Sequence, residues 1–354
     1  MRNSQIRLSP SLRSARDFPR FSEISEDDAA LVPFLPFSSL LARGADARAF
    51  LHGQCTSDLA ALPENEAQHS AWCSAQGRVL ANFFLYALPK ETASGENFRL
   101  FMPDDLTETV RSRLSRYLLR AQATLEEETE LAHFGLIGRA AVRKGCAALE
   151  ILLPAILPPL AVHHADGISL LALPDNRRFV LSAPKEKLSR FYAAISAALP
   201  VFEAELWSRL DIESGFPWIT AATADRFVPQ MLNLEELGAL SFTKGCYPGQ
   251  EVVARAQYLG EVKRRLYRLE GRARDVRALM PGSALLSPDD PEHDAGHILS
   301  LQPQAKATRE SQEHDAAVIA LAVARVALAH ALYPGADEAA QPFSAAALYP
   351  SPNA

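Results

Sequence analysis

The chain has 354 residues, more than a single hydrophobic core normally organises, so we expect two or three domains. Hydrophobic residues make up 48% and charged residues 22%, which are the proportions of an ordinary globular protein with a buried core. The net charge of −6 at pH 7 excludes a global attraction to nucleic acid or to an anionic membrane, and direct RNA binding is not expected. No stretch reaches the roughly 20 apolar residues of a membrane-spanning helix, so no membrane association is expected.

The first twenty residues contain five arginines and a single acidic residue, Asp17. Such a composition also occurs in organelle-targeting peptides, although the apolar core of a secretion signal is absent. We favour a disordered tail over residues 1–35, with a targeting peptide as the alternative.

From residue 36 onward, apolar runs of strand length alternate with helical repeats. Asp46 is placed to cap a short helix over residues 47–51. The runs at 79–88 and 98–102 predict strands, and residues 124–136 predict one or two more.

Helices are predicted from Asp105, from Pro184 and over residues 204–214, the last closed by Gly215. Residues 168–173 and 178–182 flank a turn sequence and predict a β-hairpin. Strands and helices do not alternate regularly, so an α+β fold is favoured over a doubly wound parallel sheet.

Beyond residue 265 the apolar stretches become short and are separated by glycine, proline and acidic turns. This spacing predicts a small β-barrel or sandwich. The last of these stretches, residues 317–324, is predicted to be a strand; a helix over 316–332 is the alternative, because the segment is rich in alanine.

The four cysteines are Cys55, Cys73, Cys146 and Cys246, and no pair of them has metal-ligand spacing. A disulfide framework needs a shorter and denser chain, and a zinc or iron–sulfur site needs closely spaced ligands. The cysteines therefore predict reduced thiols in a cytoplasmic protein without a metal site of its own.

Residues 244–251 read Lys-Gly-Cys-Tyr-Pro-Gly-Gln-Glu and combine several reactive or polar residue types. Cys246 lies two residues from Lys244, whose positive charge would favour the thiolate. Gln250 and Glu251 offer an amide and a carboxylate, which suit a flat heterocycle with alternating donors and acceptors.

The neighbouring residues indicate how this segment is placed. The ring of Tyr247 could stack on such a heterocycle, and Pro248-Gly249 is a turn pair. The apolar run at 252–254 predicts that the segment lies on a loop leading into a strand. Because a lone cysteine is more often a small buried residue than a nucleophile, the spacing alone leaves a functional site and a structural segment both open.

The same eight residues resemble the signature of the YgfZ family of folate-binding proteins and of its mitochondrial iron–sulfur assembly relatives. Further segments resemble that family in the same order, over about residues 36–330. They are residues 44–54 with Thr56 and Asp58, then Ala75-Gln76-Gly77-Arg78, Arg209 with residues 213–217, and residues 227–230 with Asn233-Leu234. Gln76 stands where the family usually has lysine, and Glu235 stands where it has aspartate.

The resemblance implies an α+β fold like that of the glycine-cleavage T-protein, an aminomethyltransferase. Two interleaved mixed α/β domains (36–264) would surround a central folate cavity, and a C-terminal β-barrel (265–354) would follow. It also implies tetrahydrofolate as the cofactor and a monomer that supports assembly or repair of iron–sulfur enzymes, including enzymes that modify tRNA. The implied partners are those enzymes or cluster-assembly proteins.

The same resemblance makes Cys246 the reactive thiol, and the charge of Lys244 two residues away makes that lysine the residue expected to tune it. The residues assigned to the folate site are Arg78, Tyr247, Gln250, Glu251, Arg255 and Trp218. For Trp218, packing in the core is the favoured alternative to stacking on folate.

True aminomethyltransferases resemble residues 77–85 but carry an acidic pair where this chain has Ala81-Asn82. Methylene transfer from an amine relies on that carboxylate, so an accessory factor is favoured over a transferase. Two alternatives stay open: a folate-dependent aminomethyltransferase, and a non-catalytic interaction module with a vestigial folate cavity.

Eight arginines and lysines lie between residues 255 and 277. We interpret them as a solvated strand face. The alternative is a site for the polyglutamate tail of folate, for RNA phosphate or for an acidic protein partner.

Overall fold

The computed structural model describes residues 12–90, 95–152, 154, 157–273, 276–304, 316–334 and 342–348. The strands, in chain order, are β1 (Ala30–Val32), β2 (Phe37–Gly44), β3 (Ala67–Cys73), β4 (Val79–Ala87), β5 (Glu96–Pro103), β6 (Thr124–Glu127), β7 (Leu131–Ile137), β8 (Val162–Ala165), β9 (Ile168–Ala172), β10 (Arg178–Pro184), β11 (Arg264–Ala273), β12 (Ala284–Leu286), β13 (Gly296–Pro303), β14 (Ala316–Arg325), β15 (Tyr333–Pro334) and β16 (Ser344–Ala347). The helices are α1 (Ala47–Gln54), α2 (Asp104–Leu114), α3 (Arg139–Ala148), α4 (Lys185–Ile195), α5 (Ala204–Ser214) and α6 (Gln250–Tyr258).

Two five-stranded antiparallel sheets form the first part of the molecule. The first has the order β1-β7-β10-β9-β8 and the second the order β3-β4-β5-β2-β6. The chain begins the first sheet with β1, builds the whole second sheet, and then returns to complete the first. This path confirms the prediction of two interleaved α+β units.

The strongest sequence patterns form the expected elements. The apolar run at 79–88 becomes β4, whose residues are all buried because both faces of its sheet are covered. The hairpin around residues 174–177 becomes β9 and β10, which pair antiparallel. The helix over 204–214 is α5, and Gly215 ends it with a left-handed φ of 74°.

The prediction of a disordered tail over residues 1–35 is wrong for its second part. Residues 1–11 lie outside the described residues, but β1 pairs with β7 and its three residues have no solvent exposure. The backbone of Leu31 also bonds to that of Pro200 and Phe202. A three-residue apolar strand next to an arginine-rich stretch is too short to give a periodic signal, but it becomes stable once it joins an existing sheet.

An aromatic core fills the space between the two sheets. Trp218 packs against Phe216 and Phe84, with ring centroids 4.9 and 5.6 Å apart, and Trp207 of α5 lies in the same core. Arg178 of β10 ties α5 to this core, because its Nη1 donates to Asp211 Oδ1 at 2.5 Å. These contacts fix α5 and the segment that follows it.

The C-terminal strands form a third antiparallel sheet, in the order β15-β12-β13-β14-β11-β16. The segment at 316–325 is a strand, as predicted, and not a helix. Within the described residues the two edge strands meet only at the isolated bridge between Leu332 and Phe343. The predicted barrel is therefore a curled half-barrel: β15 has two residues, and its Pro334 has no N–H with which to extend a ladder.

None of the helices in the described part of the chain is both long enough and apolar enough to cross a bilayer.

Candidate functional site

The segment 244–251 leads into a helix, and the predicted strand at 252–254 is wrong. Gly249 has a left-handed φ of 78° and turns the chain into α6. Val253 is buried, whereas Val252 is 40% exposed, so the apolar run does not have the two covered faces that an inner strand needs. Residues 254–257, which follow, have high helix propensity. Because only one side of this segment packs against the rest of the protein, a helix is favoured over a strand.

Two turns distant in sequence meet beside this segment. A Cβ placed on Gly249 would lie 2.4 Å from the carbonyl oxygen of Ser74 and 2.6 Å from the Cα of Gly77. A Cβ on Gly77 would lie 2.8 Å from the Cβ of Val252. The two backbones therefore touch, and glycine is required on both sides. This contact brings Arg78 next to the start of α6.

We expect Gly249→Ala to lower the free energy of unfolding by at least about 3 kcal/mol, because it adds a steric overlap to a left-handed backbone. Gly238 is a matched control: its φ is 69°, but nothing lies within 4 Å of its added Cβ. Gly238→Ala should cost only about 1 kcal/mol. Urea unfolding of both variants measures the difference, and equal losses would show that the two turns are not in contact.

Lys244 is buried, and its ammonium group is held by backbone carbonyl groups of the last turn of α1 and of the loop that follows it. Nζ donates to the carbonyl oxygens of Cys55 at 2.6 Å and Ser57 at 3.2 Å, and to that of His52. These three acceptors match the three protons of the ammonium group. Burial lowers the pKa of Lys244 below its ordinary value. We call this arrangement the carbonyl clamp.

The loop that the clamp holds is itself built into the second sheet. Thr56 Oγ1 donates to the carbonyl oxygen of Ala239 at 2.7 Å and accepts from the N–H of Ala71 at 2.9 Å. The carbonyl oxygen of Thr56 accepts from the N–H of Ser241 at 2.9 Å. The clamp and Thr56 together fix residues 239–244, and so the position at which Cys246 emerges.

Cys246 is exposed, and the other three cysteines are buried. Burial raises the pKa of Cys55 to about 12 and that of Cys146 to about 11, and it also raises the pKa of Cys73. Cys246 is therefore the thiol that a partner can reach. The contacts of Lys244 Nζ are with the end of α1 and the loop after it, so its tuning of Cys246 stays a prediction.

Tyr247 is 6% exposed, and Lys244 Nζ lies 5.3 Å from the centre of its ring. Burial raises the pKa of its hydroxyl group, which has no hydrogen-bond partner among the described residues. Tyr247 thus packs over the clamp.

The residues assigned to the folate site do not all come together. Arg78, Glu251 and Arg255 are exposed around α6, and Gln250 is half-buried at its first turn. Trp218 lies in the core between the two sheets and is 7% exposed. The structure thus brings the signature residues and Arg78 together and separates them from Trp218.

Asn82 was noted in the sequence only as a missing carboxylate. Its side chain has no solvent exposure, and its Nδ2 donates to the carbonyl oxygen of Pro217 at 2.7 Å. Its Oδ1 accepts from the N–H of Ile219 at 2.8 Å, and Nδ2 lies 3.1 Å from His69 Nε2. Asn82 therefore fixes the segment after α5, and both ends of its amide are occupied. Pro217 and Ile219 lie about 135 positions away, so no local pattern could indicate this role.

A cavity of about 860 Å³ lies between the N-terminal segment, α5 and the C-terminal sheet. Arg209 and Glu213, from a segment that resembles the family, line it. Arg209 Nη2 donates to the carbonyl oxygens of Phe18 at 3.0 Å and Pro19 at 2.6 Å, and Glu213 accepts from the N–H of Phe21 at 2.7 Å. Burial lowers the pKa of Arg209.

A second cavity, of about 870 Å³, is lined mainly by residues 63–66, 87–90 and 161–164. None of the residues assigned to the folate site from the sequence lines either of these two cavities.

The fold matches that of a solved glycine cleavage system aminomethyltransferase T from Bartonella henselae. The TM-score is 0.67 at 14% identity, and the match covers 90% of this chain and 85% of the other. The protein is therefore of the aminomethyltransferase T fold class.

Similarity in sequence identifies a family within this fold class, although no family model matches the chain. It is 33% identical over 255 residues to the tRNA-modifying protein YgfZ of Yersinia pestis (strain Pestoides F), and the aligned region covers 72% of each chain. It is 32% identical over 267 residues to the protein of the same name from Pectobacterium carotovorum subsp. carotovorum (strain PC1), and the aligned region covers 75% of each chain. The chain belongs to the family of the tRNA-modifying protein YgfZ.

Proposed function

We propose that this protein binds tetrahydrofolate and supports the assembly or repair of iron–sulfur enzymes, including enzymes that modify tRNA. The observation that carries the proposal is the presentation of Cys246. It is the exposed cysteine of the four, and it stands on a segment that the carbonyl clamp and the Gly77–Gly249 contact hold in place. A partner protein or its cluster can reach this thiol without unfolding the chain.

The hydrogen bonds of the Asn82 side chain favour an accessory role over aminomethyl transfer. A general base must present a free acceptor to the substrate amine. At position 82 the side-chain oxygen is bonded to Ile219, and the amide nitrogen is bonded to Pro217. The position serves the fold and offers no acceptor to a substrate.

Two regions of the molecule suit folate: one is a cavity, and the other is an open surface. The cavity beside α5 has the volume of a typical small-ligand site, and its lining includes a carboxylate and a guanidinium group, of Glu213 and Arg209, which also bond to backbone groups of residues 18–21. The surface at α6 offers Arg78 and Arg255 to an anionic tail. We place the ring of folate in the α5 cavity, because an open surface would leave it in water.

Tetrahydrofolate titration tests this placement, with tryptophan fluorescence as the signal because Trp207 lies on α5. Arg209→Met should weaken binding by about tenfold or more, and Arg255→Met by less than about threefold. The reverse order would move the folate ring to α6. Absence of binding to the wild-type chain would remove folate from the proposal and leave the interaction module.

A further inference from the structure

The outer face of α6 exposes an unusual concentration of apolar side chains. The large hydrophobic residues exposed in the described part of the chain are Tyr117, Leu119, Leu152, Val252, Tyr258, Leu259, Met280 and Val326. Three of these eight lie within one stretch of eight residues, and two of the three, Tyr258 and Leu259, are 68% and 84% exposed. Scattered apolar residues are normal on a surface, whereas a contiguous group marks a place where another molecule binds.

The geometry of the helix joins these side chains into one surface. Val252, Arg255 and Leu259 are three and four residues apart and share a face, with Tyr258 beside them. The ring of Phe242 packs edge-on against Tyr258, with centroids 5.9 Å apart, and extends the apolar area towards the loop that carries Cys246. We call the surface of Phe242, Val252, Arg255, Tyr258 and Leu259 the α6 face. The buried residue of the helix, Val253, anchors its other side.

The charge around the α6 face is positive, although the whole chain carries −6. The cations at its centre and margins have no ion-pair partner within the described ranges, and they outnumber the acidic residues there by four to three. They are Arg78, Arg255, Lys263 and Arg264, and the acidic residues are Glu251, Glu261 and Asp225, whose backbone oxygen accepts a hydrogen bond from Arg78. An apolar surface with a cationic border is complementary to a segment that carries apolar side chains and negative charge.

We propose that the α6 face docks an acidic amphipathic helix of a partner protein and so brings that partner to Cys246. The thiol precedes α6 by four residues, so a segment on the α6 face lies next to it. RNA fits less well, because Val252 and Leu259 offer nothing to a phosphate and the exposed ring of Tyr258 alone does not form a stacking platform. This inference rests on the proposed function in one respect: it assumes that the protein acts on another protein.

The test uses the full chain and a fluorescein-labelled peptide of about 18 residues, roughly five helical turns, with Leu and Phe on one face and Glu on the other. Fluorescence anisotropy should show binding to the wild-type chain and weaker binding at high salt. Arg255→Glu and the double variant Tyr258→Ser/Leu259→Ser should each weaken binding by about tenfold or more. Leu119→Ser, which removes an equally exposed leucine elsewhere, should leave binding unchanged.

Three results would overturn the proposal: no binding of the acidic peptide to the wild-type chain, equal binding of a matched peptide with Lys in place of Glu, or binding that ignores the variants of α6. Loss of unmodified tRNA binding in the Tyr258→Ser/Leu259→Ser variant, with no effect on the peptide, would assign the face to RNA instead.

The failure of this inference and that of the proposed function can be told apart. Tetrahydrofolate titration of the same Tyr258→Ser/Leu259→Ser variant should match the wild-type titration, because the cavity beside α5 does not include these residues. Normal folate binding and full support of iron–sulfur enzymes by this variant would remove the α6 face and keep the proposed function. Failure of the wild-type chain to bind folate would count against the proposed function alone.

Discussion

Lys244→Met is expected to lower the free energy of unfolding by about 3–5 kcal/mol. The substitution keeps most of the side-chain volume and removes the ammonium group. The carbonyl oxygens of His52, Cys55 and Ser57 then lose a charged donor in a buried place, and each loss costs more than an ordinary surface hydrogen bond. The loop after α1 should loosen, and with it the base of the segment that presents Cys246.

Urea unfolding at about pH 7 measures the effect, with Lys263→Met as the matched control because Lys263 is exposed. The control should change the free energy of unfolding by less than about 0.5 kcal/mol. If Lys244→Met were as stable as Lys263→Met, the clamp would have no structural role, and the earlier interpretation of Lys244 as a residue that acts on Cys246 would gain support.

Asn82→Asp is the second substitution with a large expected effect, about 3–5 kcal/mol of lost stability at neutral pH. The new carboxylate would face the carbonyl oxygen of Pro217 and the neutral ring of His69 without exposure to water. Asn82→Ala loses the same hydrogen bonds but adds no charge, so it should cost about 2–3 kcal/mol. Thermal or urea unfolding of the two variants separates the cost of the charge from that of the bonds.

The pH dependence distinguishes these variants further. Burial lowers the pKa of His69 to about 3, so in the wild-type chain the unfolded state binds a proton below about pH 6.5 that the folded state does not. This contribution to stability is therefore lost as pH falls.

In the folded Asn82→Asp variant, the new carboxyl group and His69 should share one proton. The unfolded chain releases this proton as pH rises to neutrality, whereas the folded chain keeps it. The loss of unfolding free energy of Asn82→Asp relative to Asn82→Ala should therefore grow as pH rises from about 5 to about 8. A penalty that is independent of pH would show that water reaches position 82.

The sequence patterns that succeeded are the local ones. Residues 79–87 form a strand that is covered on both faces because all of them except Asn82 are apolar, and Gly215 ends α5 because it accepts a left-handed backbone. These properties depend on a few consecutive residues, and the sequence displays them directly.

The errors arose where distant contacts override local preference. Val252 and Val253 favour a strand by propensity, but the contact of Gly249 with Ser74 and Gly77 turns the chain into a helix. The three residues of β1 become a strand because β7 lies beside them. Neither contact can be read from nearby residues.

In the candidate site, too, the features set by neighbouring residues were predictable and those set by distant contacts were not. The signature identified the exposed thiol and its neighbours, because unusual residue types at fixed spacing are visible in one short segment. The carbonyl clamp joins Lys244 to residues about 190 positions earlier, and Asn82 acts on a segment about 135 positions later. Trp218 was given a ligand role as well as a core role, and only the packing of its neighbours shows its place in the core.

The role of Cys246 is tested most directly by the activity of a tRNA-modifying iron–sulfur enzyme in cells that lack this protein and express Cys246→Ser. We predict loss of support by Cys246→Ser, with unchanged stability and unchanged tetrahydrofolate binding, while Cys146→Ala at a buried position retains support in proportion to its folded amount. Full support by Cys246→Ser would rule out this role, because the exposed thiol of the signature would then be dispensable.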